Sequence, residues 1–153
     1  MSIEENLKKF DIHLPEGPKP VGAYVAYKKV GNLVFISGQI SLKSDGNLIK
    51  GKVGADLTLE EGQAAAKVCA VNILSQIKSA CDGDLNKVKN CIKITGFVNS
   101  SDNFIDQPKV INGASELLVN VLSEKGKHAR AAISVNSLPL GAAVEIEAIF
   151  EVN

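Results

Sequence analysis

One residue stands apart by type. Of the 17 basic residues, 16 are lysine and one, Arg130, is arginine. Arginine presents a planar fork that grips a carboxylate or phosphate through two parallel hydrogen bonds, whereas lysine is a point charge on a flexible stem. Arg130 lies in His128-Ala129-Arg130-Ala131-Ala132-Ile133, at the mouth of an apolar strand where a long cation is a poor filler. It is either a surface or ion-paired cation or a clamp for a small anion. A second set of candidates lies near the C-terminus. Glu145, Glu147 and Glu151 alternate with Val144, Ile146, Ala148, Phe150 and Val152, so the three acids share one face of a strand. A solvated edge is the ordinary reading of such a face. Ile149 interrupts the charges, however. If a partner covers that face, Glu147 near its middle becomes a partly buried acid able to orient a water or trade protons.

Other chemistry has less support. His13 and His128 are the only histidines, and neither stands in metal-ligand spacing with an acid. Surface or turn roles are expected for both, and no metal. Cys69, Cys81 and Cys91 form no CxxC pair and fall in segments of core character, so they are expected to be buried, reduced thiols. There is no GxSxG, GxGxxG or phosphate-binding loop motif, so no covalent serine and no nucleotide cofactor are expected.

Composition narrows the classes further. The 153 residues suit a single domain, and 45% hydrophobic with 22% charged residues is an ordinary globular balance. The 17 acidic residues cancel the 17 basic ones, and a neutral chain argues against nucleic acid as partner. No apolar run approaches the ~20 residues of a membrane span. The start, MSIEENLKKF, lacks the apolar stretch of a signal peptide, so a cytoplasmic protein is expected.

The elements that must position these residues follow from pattern. Ile3, Leu7 and Phe10 share a face of a short helix at about 2–11, an N-terminal extension. A Pro- and Gly-rich loop follows. Tyr24–Lys29 and Leu33–Ser37 read as a hairpin about Gly31-Asn32, with a third strand near Leu48–Ile49. Thr58 and Glu61 form a capping box that opens a helix running to about Ser79, with Ala64, Ala65, Val68, Val71, Ile73, Leu74 and Ile77 as its apolar surface. A strand at Cys91–Val98, a helix at Pro108–Leu122, a strand at Ala131–Val135 and the closing strand complete the order. The result is an α+β sandwich, two long helices on one face of a sheet of about six strands. Ile36, Ile92 and Ile133 place apolar side chains on both faces of the sheet, so a partner copy is expected over the uncovered face.

Several segments together resemble the YjgF/RidA family of reactive enamine/imine deaminases. They are His128-Ala129-Arg130-Ala131-Ala132-Ile133-Ser134-Val135, Leu138-Pro139, and Val144-Glu145-Ile146-Glu147-Ala148-Ile149. Val21-Gly22-Ala23-Tyr24, Phe35-Ile36-Ser37-Gly38-Gln39-Ile40, Phe97-Val98, Asn103-Phe104 and Asn112 extend the likeness over roughly residues 20–152. The resemblance implies a chorismate-mutase-like (bacillus type) α+β fold and a homotrimer with clefts between subunits. It also implies a metal-free hydrolysis of 2-imino acids to 2-oxo acids and ammonia. In that scheme Arg130 holds the substrate carboxylate, Gly38 and Ala132 offer backbone groups, Ser37 and Asn112 line the cleft, Tyr24 covers it, and Glu147 positions the attacking water. The sequence departs from the pattern at Ala131-Ala132 and Ala23, and the N-terminal helix and the Gly51–Gly62 region mark a longer subgroup. Two other functions stand beside this one. One is an endoribonuclease or translation inhibitor, disfavoured by neutral charge and 5% aromatic content. The other is a non-enzymatic trimer that binds small carboxylates.

Overall fold

Two capping boxes set the first two helices. Ser2 and Glu5 close one ahead of α1 (Ile3–Lys9), and Thr58 and Glu61 close the other ahead of α2 (Leu59–Ala80). The computed structural model describes residues 1–153. Between and after these helices run β1 (Tyr27–Val30), β2 (Leu33–Ile40), β3 (Val88–Asn99), α3 (Gln107–Leu122), β4 (Ala129–Val135) and β5 (Val144–Val152). The strands form one sheet in the order β1-β2-β5-β3-β4, antiparallel except for the parallel pair β3–β4 that α3 connects.

The expected α+β arrangement is present, with five strands. Leu48–Ile49 forms no strand of its own; Leu42↔Leu48 and Lys50↔Ala142 are isolated bridges. Tyr24 also falls outside β1. The chain bends there because the Ser37 hydroxyl donates to the Val25 carbonyl (2.6 Å) and the Ser37 N–H to that of Ala26 (2.9 Å). The hairpin turn is as read. Gly31 takes φ +58 while Asn32 stays at negative φ, the pattern of a type II′ turn.

The core lies between the sheet and the helices. Val34, Ile36, Ile94, Val98, Ile146, Phe150 and Val152 meet Ala65, Ala66, Cys69, Ala70, Ile73, Leu74 and Ile77 of α2 and Val110, Ile111, Ala114, Leu118 and Val121 of α3. The buried stripe of α2 is narrower than its apolar content suggests. Ala64 is exposed and Val68 and Val71 are half-buried, because the sheet covers only one side of the helix. All three cysteines are buried; burial pushes the Cys91 thiol up to about 12 and that of Cys69 well above its usual range. No helix is long and apolar enough to cross a membrane.

The opposite sheet face is open. Leu33, Phe35, Ile92 and Ile133 remain between 37% and 45% exposed, so this face is not core in one chain. The helices α2 and α3 are in close contact at Gly113, where an added Cβ would run into the Gln63 backbone carbonyl of α2. Alanine normally gains about 1 kcal/mol over glycine in a helix, but overpacking against a backbone atom costs about 1–3 kcal/mol. Gly113→Ala is therefore expected to lose up to about 2 kcal/mol net, read as a lower urea midpoint at unchanged slope.

Candidate active site

Strand register decides where each candidate points. In the parallel pair β3–β4, Arg130 lies opposite Ile94 and Ala131 opposite Thr95. Paired residues share a face. Ile94 is fully buried under the helices, so Arg130 projects to the helix side at the sheet edge. There Arg130 Nη1 donates to Asn112 Oδ1 (2.8 Å) and to Ser115 Oγ (3.1 Å), both on α3. Arg130 has no carboxylate partner; the salt bridges of the chain all involve other residues. Both hydrogens of Nη1 are engaged, which leaves the Nε–Nη2 edge as the free side of the fork. Ala132, paired with Gly96, is half-buried on the same strand.

The second group gathers around β2 and β5. A bulge between Ile36 and Gln39 carries Ser37 and Gly38 out of the β2–β5 ladder. Glu147 pairs with Thr95, so it stands on the open face and is exposed. Ser37, Gly38 and Glu147 line one shallow recess with Phe35 and Ile149. Tyr24, Gly38 and Glu145 line an adjoining recess of about 320 Å³, walled by Pro18, Pro20 and Leu140. Gly38 is the one residue common to both. A Cβ on it would strike the Glu145 carboxylate at 2.5 Å, so the glycine makes room for that acid. Burial holds the Glu145 carboxyl above its ordinary range, and the neighbouring Glu147 charge adds to the rise.

The candidates thus fall into two groups, not one. Tyr24, Ser37, Gly38 and Glu147 lie together, and Arg130, Asn112 and Ala132 lie together. Glu147 and Arg130 sit two strands apart, about 10 Å at the usual strand spacing, and on opposite faces. One chain cannot bring them together.

Comparison with known proteins bears on what these groups are. The family described as "YjgF/chorismate_mutase-like, putative endoribonuclease" matches residues 4–151. The chain belongs to the YjgF/RidA family. Protein TCP17 of Trypanosoma cruzi is 44% identical over 152 residues, 99% of this chain and 94% of that one. The crystal structure of Atu1372 from Agrobacterium tumefaciens, a protein of unknown function, superposes with a TM-score of 0.91 at 46% identity, over 99% of this chain and 94% of that one. A relative from Dermatophagoides farinae named 2-iminobutanoate/2-iminopropanoate deaminase is 28% identical over 139 residues, 90% of this chain and 92% of its own. Membership of the YjgF/RidA family accounts for the chorismate-mutase-like α+β fold and supports a RidA-type deaminase activity.

Two residues beside the candidates carry no assigned role in the sequence reading of this YjgF/RidA chain, and a third, Glu145, figures there only as part of an acidic strand face. Ser115 touches Arg130, and it stands three positions after Asn112, the spacing that puts both on one helix face. His128, expected as a surface or turn residue, is half-buried and bonds through both ring nitrogens. It stands two positions before Arg130, in the segment that leads into β4. Glu145 was grouped with Glu147 and Glu151, but it alone enters the Tyr24 recess.

The raised Glu145 carboxyl gives a pH-dependent expectation. A folded-state pKa above the unfolded one means that ionised Glu145 disfavours the fold above its folded pKa, and that the penalty vanishes below the unfolded value. Glu145→Gln is expected to raise Tm by roughly 1–3 °C at pH 7, because relief of a half-exposed charge is worth under about 1 kcal/mol. The gain should shrink as pH falls towards 4.5, the ordinary glutamate value. Melting curves of both proteins across that range check it.

Proposed function

We propose that this protein hydrolyses reactive 2-imino acids and their enamine tautomers to 2-oxo acids and ammonia, at sites completed between neighbouring copies of a homotrimer. The observation that carries the proposal is the division of the candidates. Arg130 is held by Asn112 and Ser115 with its Nε–Nη2 edge free, while Glu147 stands on the other face of the same sheet. A partner copy can supply what one chain separates. The half-exposed Leu33, Phe35, Ile92 and Ile133 on the open face support such packing.

In this reading the Nε–Nη2 edge of Arg130 takes the substrate carboxylate in two parallel hydrogen bonds. Asn112 holds the guanidinium, and the backbone groups of Ala132 and Gly38 with Ser37 line the cleft. Tyr24 covers it. A water oxygen attacks the imine carbon while Glu147 takes one of its protons, and the C=N electron pair moves to nitrogen, which gains a proton. The resulting carbinolamine is protonated again on nitrogen. Its C–N bond breaks as the hydroxyl oxygen forms the carbonyl and gives up its proton, and ammonia leaves. The imine is already electrophilic, so placement and charge suffice without a metal or a covalent intermediate. Three buried thiols suit a reducing, cytoplasmic setting.

Freshly generated 2-iminopropanoate is the test substrate, with ammonia release compared to the spontaneous rate. The wild type should accelerate it. Arg130→Lys should lower kcat/KM about tenfold or more, the worth of a charge-assisted pair of hydrogen bonds. Glu147→Gln should lower kcat about a hundredfold while 2-oxo acid affinity holds. A wild type no faster than buffer, or an Arg130→Lys variant as active as wild type, would overturn the reading. Saturable RNA cleavage by the wild type would favour the nuclease instead. Retained 2-oxo acid binding without turnover would leave a carboxylate-binding trimer.

A further inference from the structure

The Arg130 side chain does not stand alone at the edge of the sheet. Its Nη1 donates to Ser115 Oγ at 3.1 Å, Ser115 Oγ lies 2.9 Å from His128 Nε2, and His128 Nδ1 lies 2.6 Å from the Gly126 carbonyl oxygen. The direction of this chain follows from what each atom can do. A backbone carbonyl only accepts, so Nδ1 carries the ring proton. In the neutral ring Nε2 then accepts, and the Ser115 hydroxyl is its donor. That orientation turns the serine lone pairs towards Arg130. Arg130 donates to Ser115, Ser115 to His128, and His128 to Gly126, with every donor matched to an acceptor.

We propose that Ser115 and His128 are positioning residues for Arg130, pinning Nη1 so that the Nε–Nη2 edge is presented to a substrate carboxylate. The inference rests on the reading of Arg130 as a carboxylate clamp and adds the device that aims it. Three features make the arrangement specific. Asn112 and Ser115 are three residues apart on α3 and take one Nη1 hydrogen each. Gly126, whose carbonyl anchors His128, is itself wedged in place, since a side chain there would run into the Leu118 backbone carbonyl of α3. His128, Ser115 and Asn112 are each half-buried, whereas Arg130 is exposed. An exposed cation is thus tied directly to two half-buried groups and, through Ser115, to a third. An exposed arginine side chain ordinarily samples many rotamers, and fixing it beforehand removes an entropy cost from ligand binding.

Arg130 is the only arginine in the chain, so its guanidinium signals in a nitrogen-15 spectrum need no assignment. A free guanidinium averages its two Nη groups by rotation about the Nε–Cζ bond. A pinned Nη1 resolves them. Two Nη signals are expected in the wild type at low temperature and neutral pH, merging in Ser115→Ala and in His128→Ala. The affinity for 2-oxobutanoate, a stable analogue of the expected product class, should fall about fivefold in each, the worth of about one net hydrogen bond. The double variant should be no weaker than either single one, because both act through one link. Ser115→Thr, which keeps the hydroxyl, should restore both readouts. Turnover of 2-iminopropanoate should show a raised KM at nearly unchanged kcat, which general loss of stability does not produce.

Averaged Nη signals in the wild type would overturn the proposal even if a variant failed to fold. So would an Nη pattern indifferent to Ser115→Ala, or additive losses of affinity in the double variant. A wild type that shows resolved Nη signals and binds 2-oxobutanoate, yet does not hydrolyse the imine, would uphold the positioning role and overturn the deaminase reading alone.

Discussion

A β-sheet has two faces, and a side chain can reach only one of them. The placement of the candidate side chains in this protein depends on that constraint. The register Arg130↔Ile94 turns the arginine towards the helices, and the register Glu147↔Thr95 turns the glutamate away from them. A slip of one residue in β4 would reverse the first and place Ala131 where Arg130 stands. The register is held from the helix side. Gly96 of β3 lies so close to Ile111 of α3 that a Cβ there would meet the Ile111 side chain at 2.5 Å. The same helix supplies Asn112 and Ser115 one and four residues later. The residue that seats α3 on the sheet and the residues that hold Arg130 therefore belong to one rigid element.

The other half of the candidate site depends on an interruption of the same rule. Regular pairing would keep Ser37 and Gly38 in the β2–β5 ladder. The bulge between Ile36 and Gln39 takes them out of it, and polar side chains tie the displaced backbone down. Gln39 Nε2 donates to the Ser37 carbonyl (2.9 Å), and Gln76 of α2 donates to Gln39 Oε1 (3.4 Å) and to the Pro18 carbonyl (2.8 Å). Gln39 and Gln76 are both buried and both satisfied, so this small network fixes the bulge and the Pro18–Tyr24 segment relative to α2. Tyr24, half exposed, owes its place to that strap and not to a strand.

Legibility in the sequence tracked how local each interaction is. The β5 alternation and the Thr58–Glu61 capping box are patterns within one element, and each appears as read. Leu48–Ile49 looked like a strand because its composition is strand-like, but a strand also needs a ladder, and Leu42 and Ala142 give it only single bridges. Arg130 could be singled out from composition alone. Ser37, Gly38, Asn112 and Ala132 could not; only the family likeness named them. Neither route gave Ser115 or His128 a role, since their bonds join α3 to β4 and to the segment leading into it, which meet only after the β3–α3–β4 crossover has formed.

Placing the two groups of candidates on opposite faces has a consequence for how the proposed activity would be controlled. A guanidinium and a carboxylate within reach of each other in one chain would pair, and the pair would have to be broken for every substrate. Here Arg130 is satisfied by neutral acceptors, Asn112 and Ser115, which neither cancel its charge nor compete for its Nε–Nη2 edge. Glu147 forms no salt bridge within the chain, although Lys28 lines the same recess, and its charge repels that of Glu145. Under the proposed trimer the clamp and the acid would meet only across a subunit boundary, with the substrate between them. The sheet would then act as an insulator, keeping the two charges apart until assembly gives them a ligand to share.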